Sequence, residues 1–184
     1  MKVLLYFDKL KKIKNSGIGR ALKHQIMALT AAGVEYTLDP KDTYDIAHIN
    51  NYFGNAKKVL KRCKKKGIPV IVHGHSTIED FRDSFRCWPL IAKLWYNKNL
   101  MWFYKNADFI ITPTKYSKDC IDAYGLGTEV VPVSNGINPE DYAASEDNVK
   151  AFKEKFDINN FSDDLKAKLV YTSLSFEYAN VTLE

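Results

Sequence analysis

What the sequence lacks narrows the field first. It holds three cysteines, Cys63, Cys87 and Cys120. An odd number, widely spaced and without a CxxC pair, argues against a disulfide framework and a metal site and fits a reduced, cytoplasmic interior. No stretch approaches the ~18 apolar residues of a membrane span. The apolar run Val3–Phe7 is too short for a secretory signal and is followed by charge, so it reads as a first strand. There is no internal repeat and no low-complexity tract.

What is present describes an ordered globular chain. The 184 residues leave room for one sizeable core and too little for two full α/β domains. A hydrophobic fraction of 46% with 13% aromatics excludes disorder. The net charge of +5 is compatible with anionic small molecules, an acidic membrane surface or nucleic acid, and selects none of them.

Hydrophobic periodicity predicts strands alternating with helices. Val3–Phe7 is an unbroken apolar run, as a parallel strand buried on both faces requires. Ile18, Leu22, Ile26 and Leu29 recur at helical spacing up to a stop at Gly33. Strands are expected at 35–38 and 44–50, a helix over 55–66 ending at Gly67, and a strand over 68–73. Ser76-Thr77-Ile78-Glu79 matches a capping box. A long aromatic helix is expected over 89–106, a strand at 109–112, a helix capped by Thr114, a strand at 129–133, and a polar helix over 146–156. An Asn/Ser/Asp-rich linker at 157–164 and a strand at 168–174 follow. Such alternation means an α/β fold, a doubly wound, mostly parallel Rossmann-like sheet. The expected domains are 1–158 and a remainder, 159–184, that opens a second domain.

Several stretches carry chemistry. Asn15-Ser16-Gly17-Ile18-Gly19-Arg20 joins a cap residue to two glycines, so the backbone can turn tightly and aim N–H groups at an anion or sugar. As a dinucleotide fingerprint it fails: the third glycine position is Leu22, and nine residues separate Phe7 from Gly17. A generic turn and a sugar- or phosphate-facing loop remain open. His73-Gly74-His75-Ser76 closes a strand at the sheet edge where ligands bind in open α/β folds. A histidine there is either structural or orients a hydroxyl and passes a proton. Ser134-Asn135-Gly136-Ile137-Asn138 is an ordinary turn whose value is its place at another strand end.

Two basic or aromatic stretches read either way. Lys57, Lys58, Lys61, Arg62, Lys64, Lys65 and Lys66 cover one helix that holds no acid. They form either a solvated face or a surface for anionic lipid. Nucleic acid is not expected, because aromatics for base stacking are not interleaved with them. Trp88, Trp95 and Trp102, spaced by seven, fall near one helix face. Core packing and an interfacial helix flanked by Lys93, Lys98 and Lys105 are both open.

The motifs Ser16-Gly17-Ile18-Gly19-Arg20, His73-Gly74-His75-Ser76, Ile111-Thr112-Pro113-Thr114-Lys115-Tyr116-Ser117 and Ser134-Asn135-Gly136-Ile137-Asn138, in that order, resemble the N-terminal domain of the family 4 retaining glycosyltransferases. Tyr44-Asp45-Ile46-Ala47-His48-Ile49-Asn50 and His75-Ser76-Thr77-Ile78-Glu79-Asp80-Phe81-Arg82 resemble a bacterial subgroup that adds glucose or galactose to glucosyl-diacylglycerol. The resemblance implies the acceptor-side half of a two-domain GT-B fold and a nucleotide-sugar donor, UDP-glucose or UDP-galactose, as substrate, with no cofactor and no metal. His75 would contact the transferred sugar as the catalytic residue. Ser16, Gly17, Gly19, Arg20, His73, Ser76, Asn135 and Gly136 would bind substrate. Lys57, Lys58, Lys61, Arg62, Lys64, Lys65, Trp88, Trp95 and Trp102 would meet an anionic membrane surface. Asn138 departs from the family's aspartate. The implied protein is cytoplasmic, able to sit peripherally on the inner membrane face, and inactive without a donor-domain partner. The rival readings are a non-catalytic binding module of the same fold and a transferase for a non-lipid saccharide.

Overall fold

The computed structural model describes residues 1–8, 17–84, 90–136 and 146–155. In chain order the first unit runs β1 (Lys2–Tyr6), α1 (Gly17–Ala31), β2 (Glu35–Thr37), β3 (Ile46–Ile49), α2 (Ala56–Lys65), β4 (Val70–His73), α3 (Ile78–Ser84), α4 (Leu90–Asn106), β5 (Phe109–Thr112), α5 (Lys115–Ala123) and β6 (Val130–Pro132). The strands form one six-stranded sheet in the order β2-β1-β3-β4-β5-β6, every neighbouring pair parallel. This is the α/β, Rossmann-like sheet that the alternation predicts.

β1 shows why its sequence is apolar throughout. Val3, Leu5 and Phe7 pack with Leu22, Ile18, Ile26 and Leu29 of α1 on one face. Leu4 and Tyr6 point to the other face, into a larger core with Val59, Leu60, Leu100, Phe103 and Tyr104. Side chains alternate across a strand, so a strand covered on both faces needs apolar residues at every position. Each large side chain fully withdrawn from water contributes about 1.5–3 kcal/mol.

Helix ends follow local chemistry. α1 closes in a Schellman turn: Gly33 adopts φ 65°, its N–H bonds Thr30 O at 3.1 Å, and the Val34 N–H bonds Leu29 O at 2.9 Å. Gly67 ends α2 in the same way, with Gly67 N–H on Lys64 O and Ile68 N–H on Cys63 O. Thr114 caps α5, its hydroxyl accepting from the Ser117 N–H at 3.1 Å. The cap before α3 is shifted from expectation. Thr77, not Ser76, is the capping residue, its Oγ1 accepting from the Asp80 N–H at 3.1 Å. The box is displaced because Glu79 is engaged elsewhere, accepting from the Tyr124 hydroxyl at 2.6 Å.

α4 buries Tyr96, Leu100, Phe103 and Tyr104, a stripe at helical spacing facing the core. Its tryptophans lie off this stripe: Trp95 is 60% exposed and Trp102 is half-buried. The contacts divide the chain into a unit Met1–Gly136 and a unit Ile137–Glu184. In the second, the described element is α6, Glu146–Lys155. The expected linker at 157–164 and strand at 168–174 lie outside the described residues.

Candidate functional site

The strand order reverses direction once. β1 leads through α1 to β2 on one side, and the chain then crosses to β3 on the other side of β1. The crevice beyond the carboxyl ends at such a switch point is where open α/β sheets hold ligands. The two strand ends there are clasped reciprocally: Asp8 N–H donates to Asn51 Oδ1 at 3.1 Å, and Asn51 Nδ2 donates to Asp8 O at 2.8 Å. The Asp8 carboxylate accepts from the Asn55 N–H and lies against Gly54. Gly54 has φ 56°, and a Cβ there would stand 1.8 Å from Asp8 Oδ2, so the position requires glycine twice over.

Beside the clasp, His73-Gly74-His75 turns within three residues, the His75 N–H bonding His73 O at 3.0 Å. Gly74 fits because a Cβ would meet Ile121 Cδ1 at 2.9 Å; its close neighbours are protein atoms. The turn lays the His75 ring over the His73 ring, centroids 3.9 Å apart and planes 15° from parallel. His48 stacks more loosely on His73, at 5.2 Å, and its Nε2 lies 3.1 Å from His73 Nδ1.

A buried polar network ties these rings together. Gln25 of α1 donates from Nε2 to Asn50 Oδ1 at 2.8 Å and contacts His73 Nδ1 at 3.3 Å. His75 Nε2 lies 3.4 Å from the same Asn50 Oδ1. An amide donor on His73 Nδ1 makes that nitrogen the acceptor and leaves the proton on Nε2. His73 Nε2 and Asn135 Oδ1 are both buried without a fully formed hydrogen bond. The Asn135 side chain nonetheless sits close enough to favour a proton on His73. Burial dominates: it lowers His48 to about 3 and His73 to about 4, while His75 falls well below its ordinary value through burial and its two neighbours. At neutral pH all three rings are uncharged. They act as hydrogen-bonding groups, not cations.

A cavity of about 320 Å³ opens where this network meets solvent. Asn50, Asn51, His75 and Ser76 give it polar groups, and Ile18, Tyr52, Phe53, Phe81, Trp95 and Tyr96 give it largely apolar walls, with Asp80 also lining it. Phe81 and Tyr96 stack at 3.7 Å and 10°, which stiffens one wall. Apolar walls with a few convergent polar groups are the usual make-up of a small-molecule site. Sequence reasoning assigned a site role only to His75, Ser76 and Trp95 among these, with Ile18, Asn50, Asp80 and Phe81 present in its motifs. A signal existed for others: His48 and Asn50 interrupt an apolar strand, and Gln25 falls on the inward stripe of α1.

Residues 38–141, more than half of the chain, match the model of Glycosyltransferase Family 4. The chain belongs to glycosyltransferase family 4. It is similar to a processive diacylglycerol alpha-glucosyltransferase of Acholeplasma laidlawii, 51% identical over 159 residues. That match covers 86% of this chain and 46% of the relative, so the family 4 chain spans about half the length of the protein it resembles.

The remaining candidates of the family 4 chain separate in space. Gly17 and Gly19 form the first turn of α1 instead of a loop before it, and the Arg20 side chain is exposed. Ser16 and Asn138 lie outside the described residues. Gly136 has φ 69°, and its N–H bonds the Ser134 hydroxyl at 3.2 Å.

Of the basic residues on α2, Lys57 and Lys61 lie over the Trp102 ring at 4.2 and 5.9 Å. Arg62 donates to Pro40 O and, at 3.1 Å, to the Tyr44 hydroxyl, while Lys64 pairs with Asp108 at 2.5 Å. Lys58, Lys65 and Lys66 are exposed. Trp88 lies outside the described residues. Among the described residues no helix is long and apolar enough to cross a membrane, and no three His, Cys, Asp or Glu side chains converge as a metal site.

Proposed function

We propose that this chain is the acceptor-side domain of a retaining glycosyltransferase that moves a hexose from a UDP-hexose to a lipid-linked acceptor, with glucosyl-diacylglycerol as the leading candidate. The observation that carries the reading is the cavity at the strand ends, polar around His75 and Asn50 and apolar around Trp95 and Phe53. A sugar or glycerol hydroxyl suits the polar part, and the apolar remainder of a lipid suits the other. The name of the Acholeplasma relative supports the same acceptor class.

In this reading His75, neutral at working pH, orients the hexose and the attacking hydroxyl by hydrogen bonds. The acceptor oxygen forms a bond to the anomeric carbon as the bond to the donor phosphate breaks. The hydroxyl proton leaves on that phosphate, on the same face, so configuration is retained. The first turn of α1, at Gly17 and Gly19, borders the acceptor and the donor phosphates, and a donor domain holds the nucleotide. The exposed lysines of α2 and Trp95 draw the protein to the anionic cytoplasmic face of a membrane, each basic residue near the surface contributing about 1 kcal/mol.

The test is transfer of labelled hexose from UDP-glucose and UDP-galactose to glucosyl-diacylglycerol in anionic vesicles, using the complete gene product. Lipid-linked product that disappears in His75→Ala supports the reading. Product only on soluble saccharides selects a transferase with a non-lipid acceptor. No transfer by any donor, with vesicle binding intact, selects a binding module.

A further inference from the structure

The loop that carries His75 is gripped by three hydroxyl groups. The Tyr52 hydroxyl donates to His73 O, the Thr112 hydroxyl to Gly74 O at 3.0 Å, and the Tyr104 hydroxyl to Ser76 O at 2.5 Å. The three come from different places: the segment after β3, the last residue of β5 and the last turn of α4. Carbonyls at both ends of a four-residue turn, and one between, are therefore fixed to separate parts of the core.

The two tyrosines act as a pair. Their oxygens lie 3.0 Å apart and their rings meet edge to face at 86°. Two hydroxyl protons serve three oxygen contacts, so both are committed to the carbonyls when the oxygens merely touch each other. Burial raises both phenols well above their ordinary value, which keeps them protonated and able to donate. The Asn99 side chain holds the Tyr52 carbonyl at 2.8 Å and so anchors the pair to α4. Tyr104 is fully buried and lines no part of the cavity, so it is the cleaner test, whereas Tyr52 also lines the cavity wall.

We propose that Tyr52 and Tyr104 are positioning residues for His75, their buried hydroxyls clamping both ends of the His73–Ser76 turn so that the imidazole is held over His73 and against the cavity. The proposal rests on the reading of His75 as the sugar-facing group. The physical reason is geometric. Fixing the His73 and Ser76 carbonyls restrains the backbone torsions between them, and the His75 ring stacks on His73 at 3.9 Å. A reacting group displaced by about 1 Å can cost on the order of a hundredfold in rate.

The experiment compares wild type with Tyr104→Phe and Tyr52→Phe in the complete gene product. Three readings are taken: the His75 ring resonances and their titration by NMR, kcat against KM for the nucleotide sugar, and the thermal midpoint. The groups facing His75 are His48, His73 and Asn50, all unaltered in both variants. Expected are shifted His75 resonances, a titration midpoint climbing toward the ordinary histidine value, and kcat reduced about tenfold or more with KM unchanged. Unmoved His75 resonances and an unchanged kcat, with only a lower thermal midpoint, would overturn the proposal. If Tyr104→Phe does not fold, the same readings on Tyr52→Phe and Thr112→Val decide it. If wild type transfers no sugar, the functional reading fails, whereas the ring resonances still decide whether the tyrosines place His75.

Discussion

The imidazoles of His73 and His75 lie face to face, 3.9 Å between centroids, and share a buried polar layer with His48, Gln25 and Asn50. Stacked rings this close cannot all accept protons without mutual repulsion and without taking charge into the protein. The layer is thus a neutral hydrogen-bonded element that depends on pH.

Acid should unfold the domain earlier than its carboxylates alone require. His48 and His73 have folded values of about 3 and 4, below the ordinary 6.5. Between 6.5 and about 4 the unfolded chain therefore binds more protons, and stability falls as pH falls. Each pH unit inside the window removes about 1.4 kcal/mol per histidine. Urea unfolding between pH 7.5 and 5 checks this, and His48→Gln should flatten the dependence.

His75→Ala should cut kcat about a hundredfold, the scale of losing one group that stabilises developing charge, with little change in stability. Trp95→Ala should act differently. Its ring is 60% exposed yet lines the cavity, so its loss should raise KM for the lipid acceptor about tenfold and spare kcat. Steady-state assays in mixed vesicles separate the two.

Gly54→Ala should be disruptive despite its small size. The backbone conformation at φ 56° costs about 1–3 kcal/mol with a side chain, and the new methyl would collide with the Asp8 carboxylate. Chemical denaturation should show that loss, and the clasp between β1 and β3 should loosen with it. Retention of wild-type stability would mean that Asp8 can move aside without cost.

The core makes a contrasting pair on α4. Phe103→Ala, at a fully buried position, should destabilise by about 3–5 kcal/mol. Leu94→Ala, at a residue 59% exposed, should stay within about 0.5 kcal/mol. Thermal and urea unfolding of the two variants read this directly.

The order of elements was legible because each strand and helix carries its own periodicity, and because Gly33, Gly67 and Thr114 sit where helix ends need them. The capping box was misplaced by one residue, since sequence spacing cannot reveal that Tyr124 takes the Glu79 carboxylate. The glycine pair reads from sequence as a loop before α1, whereas the structure places it in the helix's first turn. Local rules allow glycine either conformation.

The sequence by itself determined the alternating α/β plan, the strand ends on which His73, His75 and Asn135 stand, and the resemblance to a family through short motifs in series. Those are local properties, written in periodicity and turn chemistry. Only the tertiary structure decided that His48, His73 and His75 share one neutral stack, that Trp95 and Trp102 part company, and that the Tyr52 and Tyr104 hydroxyls bond the loop's carbonyls. Apart from the His73–His75 stack, those contacts join residues 21 to 28 positions apart, and the sheet order that brings them together follows from how all the apolar faces are buried at once.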